Sequence, residues 1–411
     1  MREAAAPSEP AKLVGATLAD GRVVDVRIDG GRVREVVEHV AGGAPEPGSF
    51  DLGGALLLPA FVDGHAHLDK TLLGAPWRPH RATDTLREQI MSERASRTTE
   101  PVPVAERATA LARRMIAMGT GHVRSHVDVD PDVGLDNLHA LLGVRDTFRD
   151  RLGLQIVAFP QSGVVAAPGV ADLLDAALAE GADLIGGLDP VGFDGDAAGQ
   201  LDVVFGLAER HGKGVDLHLH DGGTTGTGQL RDIAARTAAL GLGGRVAVSH
   251  AYCLGAVDDA ELDRTAKALA DAGVAIMTNG PAGPMPPVLR LREHGVRVFA
   301  GSDNIRDTWW PYGTGDMLER ATIIGLRDGL MTDEELRVAA DLVTVEAAAA
   351  LGLDDYGIAP GSRADLVAIA ASSVPEAVAD HPRRVLVLHD GKVVGPEPTD
   401  AYPHFASRMS R

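Results

Sequence analysis

Histidine and aspartate side chains recur in this chain at the ends of short apolar runs, in a spacing suited to holding a metal ion. Phe61-Val62-Asp63-Gly64-His65-Ala66-His67 carries two imidazoles at i and i+2. Side chains repeat every two residues on a strand, so His65 and His67 project from the same face. Asp216-Leu217-His218-Leu219-His220 repeats the pattern, Ser249-His250 ends a third run, and Gly301-Ser302-Asp303 ends a fourth. Three histidines plus a carboxylate suit a borderline divalent cation, with one position left open for water. An isolated HxH is more often incidental than metal-binding. A buried Ser-His is usually a satisfied polar pair, and Gly-Ser-Asp is usually a turn. Four such run ends in chain order make an argument that no single one makes.

The elements that must position these side chains follow from the alternation of short apolar runs with amphipathic stretches, the pattern of βα units around a parallel sheet. Strands are predicted at 62–67, 121–128, 154–160, 184–188, 214–220, 246–250, 274–279 and 297–302. Helices at 103–117, 229–240 and 260–272 lie between them, and one helical stretch at 332–351 follows. Eight strands with intervening helices predict an α/β fold, a distorted (β/α)8 TIM barrel, whose chemistry sits at the C-terminal ends of its strands. Before it, residues 12–58 alternate Val and Ile with charged residues and carry hairpin signals at Asp20-Gly21 and Gly30-Gly31. After residue 356 the chain returns to short strands and Gly turns. The two ends are therefore expected to form one small composite β-sandwich domain from segments 1–58 and 356–411, around a barrel at 59–355.

Composition narrows the function. In 411 residues, 39 Lys+Arg against 58 Asp+Glu leave a net charge of −19, which argues against binding to nucleic-acid phosphates. Aromatics at 4% leave little for stacking on bases. A single cysteine, Cys253, excludes an intramolecular disulfide framework and an all-Cys zinc site. No apolar run approaches the ~20 residues of a membrane span, and the start lacks a signal-peptide core. A cytoplasmic protein is expected.

The constellation resembles the amidohydrolase superfamily, metal-dependent hydrolases on a distorted (β/α)8 barrel. The resemblance runs from LPAFVDGHAHLDK to the late GSRADLVAI. Its cytosine deaminase-like branch is matched by IVAFPQSG (156–163), VDLHLHD (215–221), VAVSHAYCLG (246–255) and AGSDNIRDTWWPYG (300–313). The Lys of HAHLDK, Asp189 in GGLDP and the DTWWPYG segment are similar to the aminohydrolases of s-triazine degradation.

The resemblance implies metal ligands at His65, His67, His218 and Asp303, holding one divalent ion, Zn or Fe. GADLIGGLDP offers no lysine on the fourth strand, so a bridging carboxylated lysine and a second metal are not expected. His250 and Asp303 would orient or deprotonate a metal-bound water. Gln161 occupies the position that reads a ring amide, and Asp189 and Trp309 (or Trp310) would contact the substrate. Asp221, one methylene shorter than the glutamate usual in cytosine deaminases, Lys70 and Asp189 are the candidate proton donors. His220 shares a face with His218, and its role, in the pocket or in ordinary packing, stays open. The implied reaction removes ammonia or an alkylamine from a nitrogen heterocycle, with ring-opening of a cyclic amide or ureide as the alternative. The expected partners are a small heterocyclic substrate and further copies of the chain, with no nucleic acid and no membrane.

Overall fold

The computed structural model of the chain describes residues 8–42, 46–81, 83, 85–97 and 99–396. The extreme ends of the expected β-domain, 1–7 and 397–411, lie outside the described residues. Eight parallel strands follow one another in a single sheet in chain order: β1 (Phe61–Ala66), β2 (Thr120–Asp128), β3 (Gly153–Phe159), β4 (Leu184–Leu188), β5 (Gly214–Leu219), β6 (Val246–His250), β7 (Val274–Thr278) and β8 (Val298–Ala300). Each agrees with its sequence expectation to within a residue or two. Alternation along the strands divides their side chains. Val215, Leu217 and Leu219 of β5 pack into the helical shell, as do Val123 and Val127 of β2. The alternate residues Asp216 and His218, and Arg124, His126 and Asp128, are thereby directed to the barrel interior.

The barrel closes at a short seam. A parallel bridge joins Ala66 to Asp303, and Asp303 N–H donates to the His65 carbonyl at 2.7 Å. Close approach there requires glycine: a Cβ on Gly301 would stand 2.5 Å from His65 Cβ, and one on Gly64 would stand 2.4 Å from the Phe299 ring. Elsewhere at the seam, Val62 N–H donates to Val343 O and Ala300 N–H to Leu342 O, both at 2.9 Å. The helix expected at 229–240 starts earlier, at Gly223, and ends at Ala239; the seam bonds explain a second helical stretch that differs from expectation. Residues 332–351 form two helices, Asp333–Asp341 and Val345–Leu351, because the intervening carbonyls turn away from the helix to the strands.

The terminal segments meet in a second eight-stranded sheet. Strand Leu56–Pro59 pairs antiparallel with Leu366–Ile369, which joins strands 12–17, 23–29 and 32–38 to strands 384–389 and 392–395. Its two faces belong to different cores. Leu57, Leu366 and Leu388 pack with Leu13, Val24 and Val26, whereas Leu56, Leu58, Val367 and Val387 pack against the barrel. Among the described residues, no helix is long and apolar enough to cross a membrane.

Candidate metal centre and active site

His65 ends β1, His67 follows it, His218 comes from β5, and Asp303 follows β8. His67 Nε2 lies 3.4 Å from His65 Nε2, 3.4 Å from His218 Nε2 and 3.4 Å from Asp303 Oδ1. His65 Nε2 lies 3.6 Å from the same carboxylate oxygen. Ligands about 2.1 Å from a tetrahedrally bound ion stand about 3.4 Å apart, so these separations are those of a metal cradle. Burial first, and then the neighbouring imidazoles, hold His65 and His218 well below the usual histidine range, leaving neutral rings able to donate lone pairs. For Asp303 burial acts upward, but His250 and the imidazoles of His67 and His65 hold it well below the usual carboxylate range.

A relay behind His65 fixes its tautomer. Ser249 Oγ donates to Asp216 Oδ1 at 2.8 Å and therefore accepts from His65 Nδ1–H, also at 2.8 Å. The lone pair is left on Nε2, facing the cradle. Arg124 holds the other oxygen of Asp216 at 2.9 Å. Burial of Asp216 is outweighed by His126 and Arg124, which bring its pKa down to about 2. His126, stacked on His65 with centroids 3.9 Å apart, was not singled out from sequence. The signal available was the i, i+2, i+4 alternation of Arg124, His126 and Asp128.

His250 ends β6 with φ of 73°, and Asp303 and Asp189 have φ of 59° and 35°. Such left-handed backbone in non-glycine residues costs about 1–3 kcal/mol each and recurs at functional sites. His250 Nδ1 lies 4.0 Å from Asp303 Oδ2, while its Nε2 is buried without a hydrogen-bond partner. Burial, with His220 adding to it, pushes His250 down to about 3. Asn279, not anticipated from sequence, donates its Nδ2–H to Asp303 Oδ2 at 2.7 Å.

His220 stacks on His250, and its Nδ1 pairs with Asp189 Oδ2 at 2.8 Å. Burial works to lower the His220 pKa, but the Asp189 carboxylate overrides it and raises the ring above the usual range. Asp189 therefore sits behind His220 rather than lining the cavity. Asp221 is not brought to the cavity either. Its Oδ2 accepts from Gly192 N–H at 2.9 Å and from Gln229 Nε2 at 2.8 Å. Strand β5 ends at Leu219, so the alternation that aligns His218 no longer governs Asp221.

A cavity of about 270 Å³ opens over the cradle, lined by His67, His218, His220, His250, Asn279 and Asp303 on one side. Lys70, Gln161, Phe159, Trp309 and Trp310 line the other. Lys70 Nζ donates to Gln161 Oε1 and lies 3.2 Å from Asp128 and 3.4 Å from Glu93. Burial opposes its charge, but Asp128 and Glu93 prevail and raise its pKa above the ordinary lysine value. Lys70 is thus a fixed ammonium. Cys253 is buried and lies outside this lining.

A parallel barrel with imidazoles and a carboxylate gathered at its strand ends has the layout of a hydrolase whose site could hold a metal ion. The chain matches the amidohydrolase family over residues 49–395 and belongs to that family, whose members act on carbon–nitrogen bonds and typically use a divalent metal. It is 32% identical over 380 residues to N-isopropylammelide isopropyl amidohydrolase of Pseudomonas sp. (strain ADP), covering 90% of this chain and 93% of that one. The crystal structure of N-isopropylammelide isopropylaminohydrolase from Burkholderia multivorans ATCC 17616 superposes with a TM-score of 0.89 at 44% identity, over 93% of this chain and 97% of that one. The 5-methylcytosine deaminase of Klebsiella pneumoniae, with 5-fluorocytosine bound, gives 0.85 at 28% identity, over 96% and 100%.

Proposed function

We propose that this chain is an aminohydrolase that displaces ammonia or an alkylamine from an sp² ring carbon of a nitrogen heterocycle, an amino-s-triazine or an aminopyrimidine. The observation that carries the reading is one small cavity in which the cradle, a neutral imidazole, a carboxylate-backed imidazole and a fixed ammonium converge. His65, His67, His218 and Asp303 would hold one divalent ion, zinc or iron. Such an ion supplies Lewis acidity and brings the pKa of water towards neutrality.

His250, neutral and beside Asp303, is the group that takes a proton from the attacking water. Asn279 holds Asp303 Oδ2 in place for the same task. His220, kept protonated by Asp189, replaces Asp221 as the donor to the departing amine, a step worth typically 10²–10⁴-fold. Water loses one proton to His250 and the amine gains one from His220; the ring is left with a hydroxyl, whose proton passes to the adjacent ring nitrogen to give the carbonyl. Lys70 stays charged and acts as a hydrogen-bond donor to a ring oxygen or anionic nitrogen rather than as a proton shuttle. Gln161 and Trp309 orient the ring. Cytosine, which lacks the second carbonyl of a hydroxylated triazine, is expected to be a poor substrate.

The test is a panel of amino-s-triazines, aminopyrimidines, pterins and cyclic ureides. Release of ammonia or alkylamine with an intact ring supports the reading; a ring-opened acid without amine release refutes it. A cytoplasmic location and a homo-oligomer belong to the same proposal, and sedimentation of the purified chain tests the oligomer.

A further inference from the structure

Helix α1 (Leu86–Arg97) turns one stripe towards the cavity, with Leu86, Gln89, Ile90, Glu93 and Arg97 at helical spacing. Of its twelve residues only Ile90 and Glu93 are buried. A helix whose apolar contact is small, Ile90 with half-buried Leu86 against Phe159 and Leu188, depends on what meets its buried charge, because an unpaired buried carboxylate is strongly unfavourable.

What meets it is the substrate face of the cavity. Glu93 Oε2 lies 3.4 Å from Lys70 Nζ and accepts the indole N–H of Trp309. Glu93 Oε1 accepts from Arg97 at 2.9 Å, and Arg97 in turn donates to Asp128, the second carboxylate at Lys70. Gln89 Nε2 donates to the Trp309 carbonyl at 3.1 Å. Lys70 Nζ stands 5.1 Å from the centre of the Trp309 ring. Lys70 and Trp309 both line the cavity, whereas Glu93 stands behind them.

We propose that Glu93 is a positioning residue, which holds the Lys70 ammonium and the Trp309 ring in register at the substrate face and ties both to α1. The inference rests on the reading that Lys70 meets the substrate. Lys70 is suspended between Glu93 on the helix and Asp128 on β2. Without the Glu93 charge, Asp128 is the carboxylate left beside the ammonium and Gln161 Oε1 its neutral acceptor, so Lys70 is drawn away from the helix, and Trp309 loses the acceptor for its indole N–H.

The experiment compares wild type, Glu93→Gln, Lys70→Met and the double variant on N-isopropylammelide, with metal content measured for each. Glu93→Gln is expected to keep its metal and to raise KM by about tenfold, within the coupling usual for contacting groups. In the Lys70→Met background the same change is expected to add less than about twofold. A KM within twofold of wild type, or an undiminished effect without Lys70, overturns the proposal. Where wild type releases amine from no compound of the panel, or Lys70→Met costs nothing, the functional reading falls instead; where another panel compound is turned over, the same four proteins are compared on that one. Acrylamide quenching of Trp309, in protein carrying Trp77→Phe and Trp310→Phe, then decides for Glu93. A quenching constant at least doubled by Glu93→Gln supports the latch, and an unchanged one refutes it.

Discussion

Removing one hydroxyl tests whether the metal cradle is tuned from behind. In Ser249→Ala, His65 Nδ1–H loses its acceptor and Asp216 Oδ1 loses its donor. All three side chains are fully buried, so bulk water does not replace the hydroxyl. Asp216 still has Arg124, and most of the loss falls on His65. An orphaned buried donor costs about 1–3 kcal/mol. His65 escapes part of this by moving its proton to Nε2, but that is the nitrogen the ion needs. The two demands compete, and the result is a loss of metal affinity of about 10–100-fold, or roughly 1.4–2.7 kcal/mol. Asp216→Asn is expected to cost more in folding stability, because it leaves the Arg124 guanidinium buried without its carboxylate, about 3–5 kcal/mol. The assay is competition with a chelator of known affinity, followed by metal analysis. Turnover of fully loaded Ser249→Ala protein is expected within a few-fold of wild type. An affinity within about threefold of wild type would refute the relay.

Protein purified without added metal is expected to carry about one divalent ion per chain, and a stoichiometry near two would contradict the lysine-free fourth strand. Asp303→Asn should abolish turnover with the fold intact, whereas His250→Asn should cost turnover more than metal; the reverse pattern in kinetics and metal content would sink that assignment. Asp189→Asn should slow turnover by about 10²-fold or more, while Asp221→Asn leaves it within about threefold; equal losses would return the donor role to Asp221. Burial of Asp365 is outweighed by His122 and His389, which bring its pKa down to about 2. A depressed carboxylate stabilises above its unfolded value near 4 and loses that contribution as pH falls towards 2, about 2 kcal/mol here. Denaturant midpoints at pH 5 and pH 3 should therefore differ less in Asp365→Asn than in wild type.

The barrel was readable because each of its strands is a short apolar run with helical sequence between, and the gathering of His65 and His67 was readable because imidazoles two residues apart share a face. Legibility stopped where the regular period stopped. Asp221 lies past the end of β5, and a tether to Gly192 and Gln229 decides its direction. The left-handed backbone at His250, Asp303 and Asp189 carries no glycine to announce it. Helix α1 buries a carboxylate, and a glutamate on a polar helix reads as a solvated face. His126 is harder to read, because the alternation of Arg124, His126 and Asp128 shows a polar strand face but not what that face meets. Its partner, Asp216, lies 90 residues further on and reaches within 3.7 Å of it.

The seam between the first and eighth strands also sets an order of events in the making of the protein. His65, His67 and His218 are synthesised early, but the carboxylate that completes the cradle is the residue whose N–H stitches β8 to β1. A chain that ends before β8 lacks both that stitch and the fourth of these side chains. Tight metal capture therefore has to wait until residue 303 has emerged and the last strand has docked. An ion held as proposed by His65 and Asp303 would span the same seam that the Ala66–Asp303 bridge closes, and would act there as a clasp on the barrel.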